Sequence, residues 1–109
     1  MWFVFPQLDG LGSSVMAKQY GIKDIEEARA FLDHPLLGPR LTECAEAVLA
    51  VEGRSVGEIF GYPDDLKLKS SMTLFASITQ PGSVFVNILD KYFGGVGDVR
   101  TLEILVAEG

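Results

Sequence analysis

Pro39-Arg40-Leu41-Thr42-Glu43-Cys44-Ala45-Glu46-Ala47-Val48-Leu49-Ala50 is the stretch on which the fold class turns. Leu41, Cys44, Ala45, Val48 and Leu49 recur at i, i+3, i+4, i+7 and i+8, which stacks their side chains on one face of an α-helix. Glu43 and Glu46 fall on the outer face. Pro39 suits a first helical turn, where its missing N–H costs nothing, and Gly53 closes the element. The spacing predicts a helix over 39–52 whose buried face holds Leu41, Cys44, Val48 and Leu49, with Cys44 acting as a small hydrophobe.

Working outward, the same grammar repeats. Asp24-Ile25-Glu26-Glu27 resembles a capping box and opens a helix over 25–33 that buries Ile25, Ala28 and Leu32. That helix ends near Asp33, because His34 precedes Pro35 and the position before a proline disfavours helical dihedrals. Ser55-Val56-Gly57-Glu58 is a full capping box for a short helix over 55–60, stopped by Gly61 and Pro63. Asp64-Asp65 starts a helix over 65–79 with Leu68, Met72, Phe75 and Thr79 in one stripe. Ser83 caps a helix over 83–93 carrying Phe85, Ile88, Leu89 and Tyr92 up to Gly94-Gly95. Asp98 caps a last one over 98–107 with Leu102, Leu105 and Val106. Before these, Ser13 or Ser14 caps a helix over 13–20 ended by Gly21, and only Trp2 to Phe5 reads as strand. No βαβ rhythm is present. The expectation is an all-α, compact single domain over residues 1–109, built of about six or seven short helices and not a simple four-helix bundle.

Composition narrows the function. The chain has 109 residues, 48% hydrophobic and 22% charged, with a formal net charge of -6. Such a chain buries a core and is not disordered. An acidic surface repels phosphate backbones and anionic lipid, so neither nucleic acid nor a membrane is expected as a partner. One cysteine and one histidine cannot close a zinc site, and no metal or cofactor is implied. No segment nears the roughly 20 apolar residues of a membrane span. The apolar start lacks the basic residues and run length of a signal peptide. The cytoplasm is the default location of such a soluble chain.

Phosphate-loop, HExxH, EF-hand and nucleophile-elbow motifs are absent, and Gly10-Leu11-Gly12 lacks the third glycine of a dinucleotide loop. Four places can still carry chemistry. His34, beside Arg40, is either a general acid or base at a helix end or a side chain packed over Pro35 at the end of the helix dipole. Cys44 is either a nucleophile or core. Lys67 and Lys69 with Ser70, Ser71 and Thr73 either hold an anion through charge and hydroxyl donors or form a solvated first turn that pairs with Asp64 and Asp65. Trp2, Phe3 and Phe5 around Pro6, with Gln7, either stack and hydrogen-bond a ring ligand or plug one end of the core.

Three stretches also carry a resemblance: Trp2-Phe3-Val4-Phe5-Pro6-Gln7-Leu8, His34-Pro35-Leu36-Leu37-Gly38-Pro39-Arg40-Leu41, and Asp64-Asp65-Leu66-Lys67-Leu68-Lys69-Ser70-Ser71-Met72-Thr73-Leu74-Phe75. Together they resemble a bacterial family of unknown function, sometimes labelled calpastatin-like, over essentially the whole chain. The resemblance implies an all-helical fold and no established activity, and no inhibitor logic is visible in these residues. Members of that family carry a further helical stretch, often with basic residues, ahead of the tryptophan motif. This chain begins at the motif, so it looks truncated or given a late start codon. A fainter likeness joins it to helical domains that cleave N-glycosidic bonds in ADP-ribose-type or riboflavin-pathway compounds. It rests on the order of an aromatic-Phe motif, a Gly-Pro-Arg turn and a late Met-x-x-Phe helix, without a counterpart of their catalytic acid.

The leading functional expectation is therefore binding of a small anionic or nucleotide-like ligand, with N-glycosidic hydrolysis as an added activity. Its candidate residues are Trp2, Phe5, Gln7, His34, Arg40, Lys69 and Ser70. Arg40, Lys69 and Ser70 are expected to converge beside residues 2–7. The competing expectations are a protein-interaction module docking through the apolar N-terminal motif, which would also make the chain self-associate, and motifs that are purely structural.

Overall fold

The computed structural model describes residues 5–6 and 21–108, and these hold six helices and no strand. They are α1 (Ile25–Asp33), α2 (Leu37–Ala50), α3 (Val56–Phe60), α4 (Asp64–Ala76), α5 (Val84–Phe93) and α6 (Val99–Glu108). The fold is all-α. The expected helix over 13–20, the strand at Trp2 to Phe5 apart from Phe5, and the side chains of Trp2 and Gln7 lie outside the described residues.

Side-chain caps set most helix starts. The Glu27 N–H donates to Asp24 Oδ1 at 2.8 Å. Ser55 and Glu58 form the reciprocal capping box, and Ser83 Oγ accepts from the Val86 N–H. Helix α2 begins two residues before the expected position because His34 caps it: Nδ1 accepts the N–H groups of both Leu36 and Leu37 at 3.1 Å. Pro39 is then the third residue of the helix, still within its first turn, where its missing N–H costs nothing. Helix α4 ends three residues early, at Ala76. The hydroxyls of Ser77 and Thr79 donate back to the carbonyls of Leu74 and Phe75, offering the chain an alternative to another helical turn. Gly94 ends α5 in the left-handed conformation, φ 63°, which glycine adopts without a Cβ penalty.

Helix α4 is the centre of the molecule and packs on α3, α5 and α6. Leu68 and all six residues from Ser70 to Phe75 are buried, so the helix is enclosed on every side from Ser70 onward. The single apolar stripe expected there is thus only part of its buried surface. Phe75 contacts Phe85 at one end of the α4–α5 pair, with centroids 5.6 Å apart, while Lys69 lies over Phe93 at the other. The two helices are therefore antiparallel. Helix α2 runs parallel to α5: Pro39 and Thr42 adjoin Val84 and Phe85, and the C-terminal ends are tied by hydrogen bonds. There Lys91 Nζ donates to the carbonyls of Leu49 and Val51 at 2.6 Å, and the Tyr92 hydroxyl donates to the Val48 carbonyl at 2.6 Å. These donors satisfy carbonyls that a helix C-terminus leaves without partners, and they stop α2 at Ala50.

The buried stripe of α2 is Gly38, Leu41, Ala45 and Val48. Cys44 and Leu49 are only half-buried, contrary to the expected face. The stripe is rotated toward Gly38 because α1 crosses it there. A Cβ on Gly38 would lie 1.9 Å from the Leu32 carbonyl oxygen, so only glycine permits the crossing. In α6, Leu105 is buried with Thr101, whereas Leu102 and Val106 face outward, a departure from the expected core face.

Candidate functional site

The parallel and antiparallel pairings divide the expected site residues between two ends of the molecule. His34 and Arg40 lie at the end where α2 and α5 begin and α4 finishes. The Phe31–Phe75 contact, 5.9 Å between centroids, marks that end for α1 and α4. Phe5 lies at the other end, its ring edge-on to Phe60 at 6.3 Å, where α3 hands over to α4. Lys69 stands over Phe93 near that second end. Six residues separate Lys69 from Phe75, about 9 Å along a helix axis. The described residues thus bring Phe5 and Lys69 to one end and do not bring Arg40 to Lys69. Trp2 and Gln7 belong to the undescribed part.

Local chemistry explains several of these residues. His34 has its Nδ1 occupied as the α2 cap, and in that arrangement Nε2 carries the ring proton. Ser70 is buried and donates to the Leu66 carbonyl at 3.2 Å. Thr73 donates to the Lys69 carbonyl at 2.7 Å and accepts the Asp98 N–H at 2.8 Å, which clips the start of α6 to α4. Ser71 is fully buried, and its hydroxyl has no hydrogen-bond partner among the described residues. The hydroxyls of Ser70 and Thr73 thus bond to backbone carbonyls within α4, beside the expected pairing of Lys67 with Asp64. Cys44 is a free, half-buried thiol.

What remains for a ligand is the exposed corner where α3 meets α4. Tyr62 is 83% exposed and Leu66 is half-exposed there, two features that sequence periodicity did not single out. Lys67 pairs with Asp64 at 3.7 Å, and the Asp65 carboxylate accepts the Leu66 N–H at 2.8 Å. Lys69, partly exposed, has no carboxylate within 4.0 Å among the described residues; its ammonium faces the Phe93 ring, 5.7 Å from the centroid. A cation over an aromatic face keeps its charge available to an incoming anion. Tyr62 thus offers an exposed aromatic face, and Lys69 a cation with no carboxylate partner among the described residues, the two kinds of group that stack a ring and hold an acid group.

An open cleft of about 750 Å³ lies at the opposite end, between α2 and the start of α5. Glu43, Glu46, Thr42 and the hydrogen-bonded pair Thr79–Ser83 line it, over an apolar floor that includes Leu32 and Phe85. Its carboxylates oppose an anionic ligand. Among the described residues no three His, Cys, Asp or Glu side chains are grouped so as to hold a metal ion.

The model of a family of proteins of unknown function, DUF1810, matches residues 1–105. The chain belongs to the DUF1810 family. No curated protein matches it. A solved structure of a conserved hypothetical protein from Mycobacterium tuberculosis is similar at 61% identity with a TM-score of 0.93, covering 96% of this chain and 75% of that one. The family match and the all-helical fold of the described residues agree with the resemblance in those two respects, and the similar protein is bacterial. The structure divides those motifs unevenly. The second is a cap, a close helix crossing and a core leucine, the third is the central helix, and the described part of the first, Phe5 and Pro6, is buried. No described helix is long and apolar enough to cross a membrane.

Proposed function

We propose that the chain binds a small anionic or nucleotide-like ligand at the corner between α3 and α4, with Lys69 holding the acid group and Tyr62 offering a stacking face. The observation that carries this reading is Lys69. In a chain with 15 acidic and nine basic residues, it is left over an aromatic ring with no carboxylate beside it among the described residues. The first motif joins this corner through the Phe5–Phe60 contact, which brings Trp2 and Gln7 into the reading as further ligand contacts. Arg40 and His34 belong to the other end and are not part of it. A cytoplasmic location fits a ligand of this class, with no nucleic acid or membrane partner, and cell fractionation checks it. The calpastatin-like label finds no place in this reading.

Hydrolysis of an N-glycosidic bond would need a carboxylate free to act on the leaving group. Asp64 and Asp65 are the carboxylates at the corner, and both are engaged, by Lys67 and by the Leu66 N–H. The reading is therefore binding, with hydrolysis as a separate assay. Thermal unfolding against nucleotides, ADP-ribose and phosphorylated sugars tests it. A ligand at about 100 times its Kd adds about 2.7 kcal/mol by mass action, a rise of roughly 10 °C or more in a domain of this size. Lys69→Met should remove most of that rise while leaving the unliganded melt in place. A ligand-induced rise that Lys69→Met does not change would reject the corner as the site.

A further inference from the structure

We propose that the joint between α1 and α2 is a pH-sensitive latch, closed while the His34 ring is neutral and released when the ring takes up a proton. His34 belongs to both helix ends. Its backbone N–H donates to the Phe31 carbonyl at 3.3 Å, where α1 stops, and its carbonyl accepts the Gly38 N–H at 3.0 Å, in the first turn of α2. Its Nδ1 accepts the N–H groups of Leu36 and Leu37, each at 3.1 Å. An imidazole nitrogen accepts a hydrogen bond only while it carries no proton. Nε2 holds the proton of the neutral ring in this arrangement, so a second proton must go to Nδ1. Both capping bonds are then lost together.

Two helix ends act on a charged ring in opposite senses. The end of α1 favours a cation and the start of α2 disfavours one. The direct bonds decide between them: two N–H groups of α2 point into the ring, whereas the ring donates to no α1 carbonyl among the described residues. Within six residues along the chain the charged side chains are Arg29, Asp33 and Arg40, all exposed. No carboxylate among the described residues lies within 4.0 Å of the ring to hold its charge. The elements packed on this joint are α4, through Phe31 and Phe75, and α5, through the start of α2. Neither brings a titratable group to it, since none occurs from Ser70 to Leu89. An ordinary imidazole changes charge between pH 5 and 8, so the latch holds at the upper end of that range and gives way as pH falls. The turn it releases carries Gly38, which crosses α1 at the Leu32 carbonyl, and Gly38 and Pro39 line the cleft. Acid therefore loosens the helix crossing and one wall of the cleft, at the end of the fold away from the Lys69 corner.

Amide hydrogen exchange of the full chain at pH 7.5 and pH 5, corrected for the intrinsic pH dependence of exchange, tests this. Leu41 and Thr42, whose N–H groups follow the capped turn, should exchange about fivefold faster at pH 5, the factor expected for loss of one helix cap. Ile88 and Leu89 in α5 should not change. His34→Asp supplies a carboxylate that caps the same turn and stays charged over this range, so its corrected rates should be slow and equal at both pH values. His34→Ala should show the faster rate at both. Equal corrected rates at the two pH values in the parent chain would overturn the proposal. So would the parent's pH dependence persisting in His34→Asp, or slow exchange at both pH values in His34→Ala.

Discussion

Gly38 and Ser71 show how much of a motif can be packing chemistry. Gly38 lies at the crossing of α1 and α2, where an added Cβ would meet a backbone carbonyl, which cannot turn aside as a flexible side chain can. Gly38→Ala should lower stability by about 2 kcal/mol or more through overpacking. Urea unfolding reads this directly, and a variant as stable as the parent would mean that the two helices separate freely. Ser71 presents the opposite case. Its hydroxyl is buried without a partner, so it carries a desolvation cost and no compensating bond. Ser71→Ala should therefore be neutral or stabilising by up to about 1 kcal/mol, helped by the higher helix propensity of alanine. A loss of more than about 1 kcal/mol would reveal a bond that the hydroxyl makes in solution.

At the scale of elements, local chemistry was legible where it is self-contained. The caps at Asp24, Ser55 and Ser83 formed as read, because a capping side chain bonds within its own turn. Asp98 follows the same logic: its Oδ2 accepts both the N–H and the hydroxyl of Thr101. Asp98→Ala should cost about 1–2 kcal/mol, and the loss should appear as faster amide exchange in α6 with the α4 core still protected; equal loosening throughout would contradict it. Boundaries that depend on distant partners were not legible. The end of α2 is fixed by Lys91 and Tyr92, some 40 residues away in sequence. The start of α2 needed His34 as a cap, an uncommon role for that side chain. The buried face of α2 was read one step off because the crossing of α1 at Gly38, and not the apolar spacing alone, fixes its rotation.

At the scale of the molecule, the all-helical class followed from periodicity, but the enclosure of α4 did not. A helix buried on every side loses the amphipathic signal that marks a helix face, so Ser70, Ser71 and Thr73 read as a polar cluster when they are interior. The positions of the expected site residues were legible only in part. Lys69 and Phe5 share one end of the fold, but Arg40 and His34 were grouped with them by motif membership, and the parallel run of α2 and α5 carries those two to the far end. The exposure of Tyr62 was not legible because one aromatic in a turn leaves no periodic trace.

The family motifs build the core, and the α3–α4 corner is the proposed meeting point with an anionic ligand. Amide chemical-shift mapping by NMR, with the ligand that most raises the melting temperature, tests it most directly. Shifts are expected at Tyr62, Leu66, Lys67 and Lys69 and at Phe93, with the cleft residues Thr42, Glu43 and Ser83 unmoved. Shifts confined to that cleft, or no saturable shift with any of the anions, would contradict it.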